Sequence, residues 1–274
     1  MSTNHGGEGL LSPLRLSANI STLFTELPFL ARFDAAAAAG FAAVELQYPY
    51  DYRIGELRRV YADAGLPVVL MNTPAGDHER GERGSACIPG AGGRFRDDLD
   101  RALDYALALE CSSLHVLSGN IPPSVMFETA WKTYEDSLGL AAEIAKSAGL
   151  RILIEPLNAH DAPDYLLGSF ERASDIVRKI GPEKVALQFD TYHSAMEGLD
   201  VASLLGELLD IIGHVQIADV PGRGEPCSGG LDWSAIFRVL AEGYSGWVGC
   251  EYQPQGPTLA GLVWRKTLLG APVS

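Results

Sequence analysis

Positive charge is scarce in this 274-residue chain: 21 Lys and Arg stand against 35 Asp and Glu, a formal net charge of −14. Nucleic-acid binders and proteins held to anionic membranes need a basic footprint, so this balance argues against both. It leaves open a small anionic substrate, which needs only a well-placed cation. Cysteines are few and scattered: Cys87, Cys111, Cys227 and Cys250 form no Cys-x-x-Cys pair. A chain with core enough to fold without staples carries such residues as reduced thiols in a cytosolic protein. No uninterrupted apolar stretch approaches about 18 residues, so no membrane span is expected. Met1 to Gly9 hold no apolar signal core behind a basic cluster, and a cytoplasmic location is the expectation. Also missing are a His-x-x-x-His or Cys cluster for zinc and a Pro-, Gly- and Ser-rich linker between domains.

What is present is an ordinary globular balance, 47 % hydrophobic and 20 % charged, which excludes a disordered or collagen-like chain. Short runs rich in Val, Ile and Leu recur at 14–20, 42–47, 67–73, 113–118, 151–157, 185–189, 212–218 and 246–252. They read as strands buried on both faces, as in a parallel sheet. Helical segments alternate with them at 29–39, 55–64, 95–109, 124–148, 169–180, 201–209, 233–242 and 258–269. Several end in a glycine (Gly40, Gly65, Gly149, Gly181, Gly243) at the expected stop position. Such alternation suits either an open doubly wound sheet or a closed eightfold barrel. Eight units, and no Gly-x-Gly-x-x-Gly turn after the first run, favour the barrel. The expectation is a single (β/α)8 TIM-barrel domain over residues 1–274, with 1–13 as a flexible N-terminal segment.

In such a barrel, chemistry sits at the C-terminal ends of strands. Glu45, Glu155, Asp190, Gln216 and Glu251 all lie there. Any one of them reads most simply as a salt-bridged structural acid. A carboxylate ending an apolar strand is costly unless it is paired, hydrogen-bonded or bound to a metal. Glu155, Asp190, Gln216 and Glu251, however, come from four consecutive strands, the fifth to the eighth, on one side of the barrel. Three carboxylates and an amide oxygen meeting there repel without a cation, and an all-oxygen set suits Mg²⁺ or Mn²⁺ better than zinc. His193 follows Asp190 by three residues. His115 lies inside the fourth strand, where a core role is the plainer reading. Arg223, in Pro221-Gly222-Arg223-Gly224-Glu225-Pro226, either aims a guanidinium at a substrate carboxylate or phosphate or is a surface charge. Residues 74–93, rich in Gly and charge, read equally as a lid or binding loop and as a solvated insertion.

Several segments carry a family resemblance: Ile154-Glu155-Pro156-Leu157-Asn158, Leu187-Gln188-Phe189-Asp190-Thr191-Tyr192-His193, and His214-Val215-Gln216-Ile217. Asn72-Thr73-Pro74-Ala75-Gly76-Asp77, Gly81-Glu82-Arg83-Gly84 and Gly249-Cys250-Glu251-Tyr252 extend it. From about Leu16 to Trp264 the chain resembles hydroxypyruvate isomerase, a family of the xylose-isomerase-like TIM barrels. It departs at Gly229-Gly230-Leu231-Asp232-Trp233, where that family usually has Gly-Glu and then an Asn-Tyr pair. The resemblance implies Glu155, Asp190, Gln216 and Glu251 as ligands of Mg²⁺ or Mn²⁺, with Glu155 and Glu251 as the acid/base pair. Arg223, His193, His115, Glu45 and Asn72 are the candidate substrate-binding residues.

The implied reaction interconverts hydroxypyruvate and tartronate semialdehyde by metal-assisted proton transfer through a cis-enediolate. A 2-oxo-tetronate isomerase and a ketose 3-epimerase of the same barrel family are the alternatives. The expected partner is a small anionic keto acid or sugar acid, not nucleic acid or membrane, and the expected assembly a homo-oligomer, dimer or tetramer. Two other classes fit less well. A DNA-repair endonuclease of this barrel wants several metal-binding histidines and a basic groove. A non-catalytic sugar-acid binder would keep Arg223 without needing four converging ligands.

Overall fold

A computed structural model describes residues 14–77 and 80–269, so the expected flexible segment at 1–13 lies outside the described residues. Eight strands follow one another: β1 (Arg15–Asn19), β2 (Ala43–Leu46), β3 (Val68–Asn72), β4 (Ser113–His115), β5 (Arg151–Ile154), β6 (Val185–Asp190), β7 (Ile212–Ile217) and β8 (Trp247–Cys250). Every neighbouring pair is parallel, and β8 returns to β1, closing the barrel. The helices are α1 (Arg32–Ala38), α2 (Ile54–Ala64), α3 (Gly92–Ala108), α4 (Phe127–Ser147), α5 (Phe170–Ile180), α6 (Thr191–Met196), α7 (Val201–Leu208), α8 (Trp233–Gly243), α9 (Thr258–Gly261) and α10 (Val263–Leu269). Side chains alternate across a strand, and that alternation splits the apolar residues between two cores. Outward positions such as Leu16, Val44, Met71, Ile152, Leu187, Val215 and Val248 join the helices in one large shell. Inside the barrel the apolar layer is small: Leu70, Leu153 and Ala186. Two residues further along β3, β5 and β6, the inward positions are Asn72, Glu155 and Gln188, all buried.

Four features depart from the expectation. The strands are shorter than the apolar runs, so Glu155 and Glu251 stand just past β5 and β8. A short helix, α6, starts at the very end of β6, because the Asp190 carboxylate accepts from the Tyr192 backbone N–H at 2.8 Å and caps it. The helix expected at 258–269 is two, α9 and α10, and Gly243 belongs to α8 instead of stopping it. α5, α7 and α8 carry side-chain caps: Ser169, Asp200 and Asp232 accept from Arg172, Ser203 and Ala235 N–H groups. Among the described residues no helix is long and apolar enough to cross a membrane.

Candidate active site

A cavity of about 300 Å³ opens at the C-terminal ends of the strands, lined by Asn72, His115, Glu155, His193, Arg223 and Glu251 among others. Asp190 and Gln216 lie buried beside it. A larger groove, about 420 Å³, sits by Leu16, Trp233 and Phe237 and gathers no carboxylate. The smaller opening is therefore the candidate site, since it gathers the strand-end carboxylates.

Two amides tie the site together. Gln188 Nε2 donates to Glu155 Oε2 at 2.9 Å and to Gln216 Oε1 at 2.7 Å. Gln216 Nε2 donates to Glu251 Oε2 at 2.6 Å and to Glu45 Oε2 at 2.9 Å. Ionised carboxylates only accept, so the Gln216 amide turns its NH₂ to Glu45 and Glu251 and its oxygen to β6. Asn19 adds a donor to Glu251 Oε2 at 2.6 Å, while its own oxygen accepts from Ser21 N–H. It thus both faces the site and caps a turn.

Glu45 sits differently from the expectation of a substrate contact. It is fully buried beneath the cavity, where it accepts from Ser17 Oγ, His214 Nε2 and Gln216. Its place depends on Gly249, where a Cβ would stand 2.0 Å from Glu45 Oε1. Glu45 braces Gln216 and does not reach the cavity.

Arg223 enters the site from the loop after β7. Arg223 itself holds the left-handed conformation, φ 51°, and its carbonyl accepts from Gln253 N–H. Its Nη2 donates to Asp190 Oδ2 at 2.9 Å and to Glu251 Oε1 at 2.6 Å. His193 is oriented by Asn158, whose backbone N–H and Nδ2 both point at His193 Nδ1, at 3.1 and 2.7 Å. With Nδ1 accepting, the proton sits on Nε2, which faces Asp190 Oδ2 at 3.8 Å and Glu155 Oε1 at 4.0 Å. His115 Nδ1 lies 3.3 Å from Asn72 Oδ1 and 3.5 Å from Glu155 Oε2. Burial lowers the His115 pKa to about 3, and burial with the Arg223 charge holds His193 well below its ordinary value. Both imidazoles are neutral.

The carboxylates respond the opposite way. Burial, then repulsion from Asp190 and Glu251, raises Glu155 well above the usual carboxylate range. Burial lifts Glu251 to about 7 against the pull of Arg223, and it lifts Asp190 as well. Desolvating each such charge costs several kcal/mol, on the order that only a close cation offsets. Glu155 Oε1 is buried and has no hydrogen-bond partner. Carboxylate oxygens of Glu155 and Asp190 and a ring nitrogen of His193 lie within 4.8 Å of one another. An acidic, oxygen-rich cluster with an orphaned carboxylate oxygen fits a hard divalent cation, with the protonated His193 Nε2 as a donor beside it.

Sequence reasoning missed Gln188, a strand-interior residue whose role appears only once β5, β6 and β7 are side by side. It also passed over Arg83, which reaches the cavity from the charged 74–93 loop.

Comparison with known proteins extends the geometry. Residues 33–268 match the family model described as a xylose isomerase-like TIM barrel. A hydroxypyruvate isomerase from Escherichia coli (strain K12) is 43 % identical over 253 residues, covering 92 % of this chain and 98 % of the relative. A 2-oxo-tetronate isomerase from Cupriavidus necator is 42 % identical over 257 residues, covering 93 % and 99 %. A solved structure titled AP endonuclease, family 2, from Brucella melitensis superposes with a TM-score of 0.88 at 41 % identity, covering 93 % of this chain and 99 % of that one.

Proposed function

The chain belongs to the xylose isomerase-like TIM barrel family, and we propose that it interconverts hydroxypyruvate and tartronate semialdehyde. The 2-oxo-tetronate reading, favoured by a relative of nearly equal identity, involves the same reacting hydroxy-ketone atoms with one more carbon. The observation that carries the proposal is that Glu155 and Glu251 line one cavity and are linked to each other through Gln188 and Gln216.

In this reading Glu155, Asp190, Gln216 and Glu251 hold Mg²⁺ or Mn²⁺. Such a cation, when bound, polarises the substrate carbonyl and so acidifies the neighbouring C–H. One glutamate takes the proton from the hydroxymethyl carbon, leaving a cis-enediolate. The other returns a proton to the former carbonyl carbon, while the hydroxyl proton passes from one oxygen to the other. Each transfer by a positioned carboxylate contributes about 10²–10⁴-fold. Burial suits both groups to the task, because a carboxylate whose pKa is raised is a stronger base than an exposed one. The neutral His193 offers its Nε2–H to a substrate oxygen, and Arg223 balances Asp190 and Glu251.

A panel of keto acids and ketoses followed by NMR in deuterated water tests this. Deuterium entering one carbon is the expected result, with an aldehyde product from hydroxypyruvate or a 3-keto product from 2-oxo-tetronate. No exchange in any keto acid with Mg²⁺ or Mn²⁺ supplied overturns it. A cytoplasmic location and a homo-oligomeric assembly complete the proposal; sedimentation checks the assembly.

A further inference from the structure

Of the two guanidinium groups that line the cavity, Arg223 forms ion pairs with Asp190 and Glu251, two members of the proposed metal-binding set. Arg83 does not. Its Nη1 donates to the Gly81 carbonyl at 3.2 Å and its Nη2 to the Asp161 carbonyl at 3.0 Å. Both partners are neutral dipoles, and among the described residues no carboxylate forms an ion pair with it. We propose that Arg83 is the specificity-determining residue that receives the substrate carboxylate. This rests on the isomerase reading above and names the group that selects a keto acid over a neutral ketose.

The Gly81-Glu82-Arg83-Gly84 motif is built to present this side chain. Gly84 has φ 95°, and a Cβ there would lie 2.7 Å from both Cβ and the carbonyl oxygen of Leu117, just past β4. Only glycine lets the loop press that closely onto the barrel rim. Gly84 N–H is tied to the Ala75 carbonyl at 2.8 Å, and Asn120 Nδ2 donates to the Gly81 carbonyl at 2.9 Å. Glu82 turns the other way, to Arg94 at 2.5 Å and to the Asp77 N–H at 2.9 Å. Arg83 is thereby directed inward, half-buried, on a wall shared with Glu155, Asp161 and His193. A planar fork held by two carbonyls keeps N–H groups for bidentate binding of a carboxylate. In a chain of net charge −14, attraction of an anion has to be local, and this is the cation with charge to spare.

The test compares hydroxypyruvate with dihydroxyacetone, which keeps the hydroxymethyl ketone and replaces the carboxylate by a second hydroxymethyl group. With Mg²⁺-loaded protein, Arg83→Ala should raise KM for hydroxypyruvate about 100-fold while kcat changes less than about threefold. Deuterium exchange into dihydroxyacetone should fall by less than about threefold, whereas Arg223→Ala should depress both substrates. Arg83→Lys, which keeps the charge without the fork, should fall between, at about tenfold in KM. Calorimetric titration with D-glycerate, which has the carboxylate but no ketone, should weaken about 100-fold in Arg83→Ala. That arm stands even if the wild type turns over no keto acid, so failure of the isomerase reading and failure of this one are separable. Circular dichroism checks folding; if the Ala variant does not fold, the Lys variant carries the comparison. Unchanged hydroxypyruvate KM, equal loss on dihydroxyacetone, or no measurable D-glycerate binding to the wild type would each overturn the assignment.

Discussion

Gln188 and Gln216 meet side by side inside the barrel, Nε2 to Oε1 at 2.7 Å, and through them Glu155 on one strand end is joined to Glu251 on another. The pair fixes which oxygen of each carboxylate is engaged. Glu155 Oε2 is held by Gln188, and Oε1 is left without a partner. Gln188→Leu removes one donor from two buried acceptors, a loss of about 1–3 kcal/mol. The expected result is a kcat lowered about 10- to 100-fold with KM nearly unchanged. Steady-state kinetics on hydroxypyruvate provide the check. A loss confined to KM would mean that Gln188 contacts substrate instead of positioning Glu155.

Asp190 is wholly buried, accepts from Arg223 and caps α6. Asp190→Ala should abolish divalent-cation binding while leaving the barrel folded. Metal content by mass spectrometry and far-ultraviolet circular dichroism measure the two halves of that statement. Retained metal in the variant would remove Asp190 from the donor set.

Glu155→Gln and Glu251→Gln preserve shape and remove the ability to accept a proton. Each should lower kcat by at least about 10³-fold, and the double variant should fall little further, since the two groups act in one sequence. Activity within tenfold of the wild type, by about the same assay, would take that residue out of the pair.

The thiols report on the fold itself. Cys87, Cys111 and Cys250 are buried, and burial pushes Cys87 and Cys111 up to about 12; Cys227 alone is exposed. A disulfide reagent at about pH 8 should modify one thiol rapidly and the other three only after denaturation, because the thiolate is the reacting form. Rapid reaction of more than one thiol would contradict the packing around the barrel.

The positions of Glu155, Asp190, Gln216 and Glu251 were readable because each ends an apolar run, and a carboxylate or amide in that place is costly without a purpose. The (β/α)8 order was readable for a related reason: strands buried on both faces leave near-continuous apolar segments, and eight of them alternate with helices. Helix α6 was hidden, since six residues starting at a strand end give no 3.6-residue period, and its cap, Asp190, looked like a site residue only.

Partnership between distant residues was not readable at all. Glu45 carries the same strand-end mark as Glu155, yet closure of the barrel brings His214 and Gln216 to it, 169 and 171 positions away, and turns it into a brace. Arg83 sits in a run of Gly and charge that suits a solvated loop equally well, until Gly84 is seen pressed against Leu117. Strand count, inward alternation and the candidate site positions can be read from the amino acids alone, because these depend on local period and on what an apolar strand tolerates. Which carboxylate faces the cavity, which braces it, and which arginine lacks a carboxylate partner among the described residues cannot be read that way. Those are matters of distance between residues far apart in the chain, and only closure of the barrel sets them.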